Sequence, residues 1–252
     1  MKVPQIEALA LLEDTVGRVR CTTERMPHSV ELETTRRKSP PPSLWWRAFL
    51  FTELVLLYIA VPSTIWWLHR LKSRPPLIPI LIVIGLISLL VLIRRHPRTL
   101  AEVLRWRGAR GEVRRIFTLF GCAAVLLSIY TSIAKPELLL ALPRERPWVW
   151  LAIVVLYPIL SVIPQELVFR VFLFRRYRAI LPSRAARVVV SAVLFGFAHV
   201  IYGNAYSVAL STVGGVIFAL TYLRTRSIWI VSLEHALYGL FLFTIGLGVY
   251  FH

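Results

Sequence analysis

Apolar runs long enough to cross a bilayer recur seven times in this 252-residue sequence, near 44–68, 77–93, 116–134, 148–174, 187–203, 205–223 and 228–250. A hydrocarbon core of about 30 Å takes about 20 residues of helix, and it offers no water to satisfy irregular backbone or an open sheet edge. The expected fold is all-α: a polytopic transmembrane helical bundle of about seven spans, within a range of about six to eight. The fourth run contains Pro158 and Pro164. Each removes a backbone donor, so the helix is expected to kink there or to hide an eighth segment.

A charged fraction of 17% is too low for an ordinary soluble domain, which sits near a quarter, and agrees with the runs. Thirty Lys and Arg against thirteen Asp and Glu give a net charge of +17, a balance that in a soluble protein suggests nucleic acid. The placement of the charges argues otherwise. Residues 1–43 hold seven basic and six acidic side chains and end in TTRRKSPPPS. They are expected to form a largely flexible, cytoplasmic N-terminal tail ahead of a transmembrane domain at 44–252. Beyond it the basic residues alternate loop by loop, with eight arginines from Arg94 to Arg115 and five from Arg175 to Arg187. By the positive-inside rule this puts the N-terminus in the cytoplasm. The excess then serves topology and contact with membrane lipids, with no nucleic-acid partner expected. Cys21 falls in the tail and Cys122 in a span, which makes a disulfide between them implausible.

A charge at the centre of a membrane helix costs about 2.5–3.5 kcal/mol on insertion scales, so each misfit needs a partner or a function. After residue 43 there are seven carboxylates, four of them in loops. Glu53 lies near a span end and reads as structural. Glu166 and Arg170, in PQELVFR, are four apart on one helical face and suit an ion pair. His199 and His235 are the two histidines inside apolar runs. Counted from the nearest basic loop at 1.5 Å per residue, Glu166, His199 and His235 lie at about 14, 18 and 14 Å. One acid and two imidazoles at a common depth are best satisfied by a shared polar cavity. There a carboxylate can take a proton from water, an imidazole can orient that water, and a second imidazole can stabilise an oxyanion. The same Glu, His and His could instead ligate zinc with one position open. Both routes hydrolyse an amide.

Three further features read as structure. Glu234 points about 100° from His235 and is expected to form a rim salt bridge with Arg224 or Arg226. Asn204 suits a turn between spans five and six. Ser207, Ser211, Gly215 and Ala219, four apart, form a small-residue ridge for close helix packing.

PQELVFR, FGFAH and EHALYG resemble, in order and spacing, the EExxxR, FxxxH and HxxxN or HxxxD motifs of the CPBP family of intramembrane proteases, which includes CAAX prenyl endopeptidases and bacteriocin self-immunity proteins. The resemblance spans about residues 150–250. It implies an intramembrane endopeptidase, of glutamic or metallo type, in a bacterial inner membrane, with Glu166 at the second glutamate, Arg170 at the arginine, Phe195 and His199 in the second motif and His235 in the third. Two positions depart from the pattern: the first glutamate is Gln165, and the Asn or Asp associated with the oxyanion is Gly239. A glutamine amide takes up no proton but can orient a water. The expected assignment is therefore Glu166 and His199 activating water, Gln165 and Arg170 in support, and His235 stabilising the oxyanion or ligating a metal. The cofactor is none or zinc at Glu166, His199 and His235. The substrate implied is a hydrophobic or lipid-anchored chain. The competing reading is a catalytically inactive relative that serves as a membrane binding, immunity or scaffold protein.

Overall fold

The computed structural model describes residues 43–106 and 109–251, and the N-terminal tail before Ser43, with Cys21, lies outside them. Every regular element among the described residues is helical. Among the described residues seven helices are long and apolar enough to cross a membrane: α1 (Leu44–Arg70), α2 (Leu77–Arg95), α3 (Arg110–Ala134), α4 (Pro147–Arg176), α5 (Arg184–Tyr202), α6 (Ala205–Thr225) and α7 (Ile228–Ile245). The protein is a multi-pass membrane helical bundle.

Local chemistry sets the helix ends. Ser43, Ser183 and Asn204 accept from the backbone N–H three residues on, at 3.2, 2.9 and 2.9 Å, and so cap α1, α5 and α6. Asn204 is the turn residue expected. Its Nδ2 also donates to the Tyr250 carbonyl at 2.8 Å, which ties the end of the described chain to the α5–α6 turn. The last helix is shorter than its apolar run. Gly246, at φ 99°, stops α7 after Ile245 and starts a short 3-10 segment, Leu247–Phe251. Only glycine takes that backbone conformation without strain.

Pro158 and Pro164 do not divide α4, and the eighth segment allowed for above is absent among the described residues. The helix instead widens into π turns at Pro158–Val162 and Leu167–Phe172, on either side of Ile163–Glu166. Such widening is how a continuous helix absorbs lost i to i−4 bonds, and it often marks a functional stretch. Neighbouring helices supply extra donors to the second widened turn: Tyr58 donates to the Val168 carbonyl and Ser191 to that of Phe169, both at 2.8 Å.

The bundle is tightest between α5 and α6. Ser207, Ser211, Gly215 and Ala219 are all buried there, and a Cβ added at Gly215 would stand 2.9 Å from the Ala192 Cα. The small-residue ridge thus packs backbone against backbone. Gly215→Val is expected to cost about 1–3 kcal/mol through overpacking, read as a lower Tm in detergent; an unchanged Tm would show that the helices can separate without penalty.

Glu53 is held structurally. Arg176 donates to both its oxygens, at 2.9 and 2.6 Å, and the Tyr177 hydroxyl donates at 3.1 Å. Burial first and then the Glu53 charge push the Tyr177 hydroxyl well above its ordinary pKa, so it stays a donor. Cys122 is a free, exposed thiol on α3.

Candidate active site

The widened middle of α4 presents two consecutive polar residues to different surroundings. Glu166 is fully buried. One of its oxygens lies 2.8 Å from His235 Nδ1 and the other 3.2 Å from Arg170 Nε, so the i, i+4 pair read from the sequence is present. Arg170 is also fully buried. Among the described residues its guanidinium nitrogens have no hydrogen-bond partner, and the group faces the rings of Phe195 and Phe218, at 4.4 and 5.6 Å from their centroids. Cation–π attraction is strongest where water is excluded, as here. Phe218 also stacks on the His235 ring at 4.6 Å.

Gln165 points elsewhere. With Ser161, to which its Nε2 donates at 2.7 Å, it lines an apolar cavity of about 650 Å³ shared by His199, His235 and Tyr157. Its Oε1 has no hydrogen-bond partner among the described residues. Ser161, Gln165, His199 and Tyr202 also line a second cavity of about 130 Å³, walled by residues of α1 and α2.

His199 follows the last α-helical residue of α5, in a 3-10 turn. Its Nδ1 stands 2.7 Å from the Phe195 carbonyl. A carbonyl only accepts, so Nδ1 carries the hydrogen and Nε2 keeps a lone pair. The Phe195 ring packs against both imidazoles, 4.8 Å from His199 and 5.5 Å from His235. In His235, Nδ1 faces the Glu166 carboxylate, which likewise leaves Nε2 as an acceptor. The Tyr157 hydroxyl lies 3.2 Å from it and donates.

The expected residues are therefore brought together, but not in the expected partnership. Glu166 lines neither cavity. It sits behind His235, and the expectation that it joins His199 on the water is not matched by this geometry: one oxygen faces His235 and the other is in an ion pair with Arg170. The zinc reading meets the same obstacle. Among the described residues no three His, Cys, Asp or Glu side chains are grouped to hold a metal ion. Of the proposed ligands, Glu166 is committed to Arg170 and His235 and lies off the cavity that His199 and His235 line.

Glu234 also departs from expectation. It points away from the cavity, as the helical angle implies, but that direction is the bundle interior. It is fully buried, and its partner is Arg115 of α3 at 3.3 Å. Arg115 also donates to Thr221 and, at 2.6 Å, to Glu112, while Arg224 pairs with Glu112 at 3.6 Å. Residue 115 counts as one more loop charge in the sequence, and only the docking of α3 against α6 and α7 carries it inward. Tyr157 was missed for a related reason. A tyrosine in an apolar run is usually packing, and the one available signal is a hydroxyl at mid-span eight residues before Gln165.

Neither the curated proteins nor the solved structures compared contain a significant match to the chain. Residues 147–241 match the family model described as type II CAAX prenyl endopeptidase Rce1-like. That stretch begins with α4 and holds Tyr157, Gln165, Glu166, Arg170, His199 and His235. From α4 into α7 the chain is thus similar to that family, which is consistent with a protease of the CPBP family.

Proposed function

We propose that this protein is an intramembrane endopeptidase that hydrolyses a peptide bond in a hydrophobic or lipid-anchored substrate, with its N-terminus in the cytoplasm and a bacterial inner membrane as its setting. The observation that carries the reading is the shared wall of one large apolar cavity, on which Gln165, an imidazole with a free Nε2 at His199, and His235 all lie. The similarity to the matched family supports a prenylated chain as the substrate, its lipid in the apolar cavity and its peptide at the polar wall.

The chemistry follows from the hydrogen positions. Water held against Gln165 gives a proton to His199 Nε2 as its oxygen bonds to the substrate carbonyl carbon. The carbonyl oxygen, now negative, is held on the His235 side of the cavity. The carbon–nitrogen bond then breaks, and His199 Nε2 returns the proton to the leaving amine. Glu166 acts through His235, fixing its tautomer and ring orientation, and Arg170 holds the Glu166 carboxylate in place. No step is assigned to a metal, because Glu166 lies off the cavity and no three described His, Cys, Asp or Glu side chains are grouped to hold one.

The test is cleavage of a farnesylated peptide ending in a CAAX box by the purified protein in lipid vesicles. Turnover is expected, and it is expected to survive prolonged treatment with a strong chelator. Loss of turnover on chelation with recovery on adding zinc would reject the metal-free assignment; an inert wild-type protein would favour the non-catalytic binding or scaffold reading.

A further inference from the structure

We infer that Tyr157 is a catalytic residue whose hydroxyl donates the hydrogen bond that stabilises the oxyanion. The inference rests on the endopeptidase reading and adds to it the identity of the donor.

With the Nδ1 hydrogen facing Glu166 at 2.8 Å, the His235 imidazole presents only a lone pair at Nε2 and offers the cavity no donor. The group in contact with that lone pair is the Tyr157 hydroxyl, at 3.2 Å, and Tyr157 lines the large cavity beside His199 and Gln165. A phenol is a donor that stays protonated at neutral pH, since its ordinary pKa is about 10. In the resting state it donates to Nε2, which keeps it oriented without satisfying it as strongly as an anion would. When the substrate carbonyl becomes an oxyanion, the hydroxyl turns to it. No bond to Tyr157 is made or broken: water's proton goes to His199 and then to the amine, and the phenol only shifts its hydrogen bond.

Gly239 supplies independent support. A Cβ built there would collide with the Tyr157 hydroxyl and stand 2.6 and 2.7 Å from its Cε1 and Cζ. The end of the tyrosine ring therefore fills the space that a side chain at 239 would occupy. Either a tyrosine at 157 or a polar side chain at 239 can present its donor beside His235, but not both. The ring is also braced from its other neighbour, Phe243, at 5.5 Å between centroids in a T-shaped contact. A missing side chain on α7 and a hydroxyl from α4 are thus two parts of one arrangement.

The experiment measures kcat and KM for the farnesylated CAAX peptide in vesicles with wild type, Tyr157→Phe, Tyr157→Ala, Tyr157→Ala with Gly239→Asn, and His199→Ala. Tyr157→Phe keeps the ring, so the fold is retained; kcat should fall by about 10²–10³-fold, the usual effect of one oxyanion donor, with KM nearly unchanged. The double variant places an amide donor in the vacated space and should recover about ten-fold or more of the kcat lost in Tyr157→Ala. A Tyr157→Phe enzyme with kcat within about three-fold of wild type overturns the inference. So does a double variant with no recovery, which would leave Tyr157 as a support for His235 alone. An inert wild type overturns the endopeptidase reading and this inference with it, whereas an active wild type silenced by His199→Ala but not by Tyr157→Phe removes the inference and spares the reading.

Discussion

Replacing His199 with alanine should lower kcat on the farnesylated peptide by about 10²–10⁴-fold, the range spanned by a positioned general base. Among the described residues that line the large cavity, His199 is the side chain whose free lone pair is set by geometry: the Phe195 carbonyl at 2.7 Å takes the Nδ1 hydrogen. Gln165 beside it cannot be protonated at physiological pH, and Glu166 lies outside the cavity. The imidazole lies in a short 3-10 turn at the end of α5, and its loss removes one side-chain hydrogen bond and the ring contacts with Phe195, Tyr202 and Phe251. His199→Gln preserves a polar side chain without a usable base and should be equally impaired. If either variant turns over substrate within two-fold of wild type, the proton goes elsewhere and the base assignment is lost.

Removing Arg170 should have the largest effect on stability. Its guanidinium and the Glu166 carboxylate are both fully buried and 3.2 Å apart. Taking away one member of such a pair strands the other charge and typically costs about 3–5 kcal/mol. Arg170→Leu also forfeits the packing of the guanidinium over Phe195 and Phe218, and unbalances the carboxylate that orients His235. Chemical denaturation in detergent should show the loss, and Arg170→Leu combined with Glu166→Gln should recover at least half of it, because no bare charge remains. A single variant within about 1 kcal/mol of wild type would mean that water or lipid headgroups already reach the pair.

How far the sequence could be read depended on the range of the interaction concerned. The apolar runs located α1 through α6 to within a few residues, apart from the start of α3, which extends into the basic loop, because a bilayer imposes helix length on a chain regardless of its neighbours. The ridge from Ser207 to Ala219 and the cap at Asn204 were legible for the same reason: both are set within one helix or one turn. The Glu166–Arg170 pair was visible in a four-residue spacing. The end of α7 was not, since Leu247, Val249 and Tyr250 are as apolar as the helix before them and only the backbone at Gly246 breaks the run.

What the one-dimensional pattern determined was a membrane bundle with an acid and two imidazoles at similar depth, because burial cost and helical period act along a single segment. Tertiary structure alone decided which of those groups touch. Rotation of α4 about its widened turns turned Glu166 toward His235 and Arg170 and left Gln165 on the cavity. The docking of α3 drew Arg115 in to Glu234, and the absence of a side chain at Gly239 admitted the hydroxyl of Tyr157. Each of those outcomes depends on the relative rotation and approach of two helices, a quantity that no spacing within either one contains.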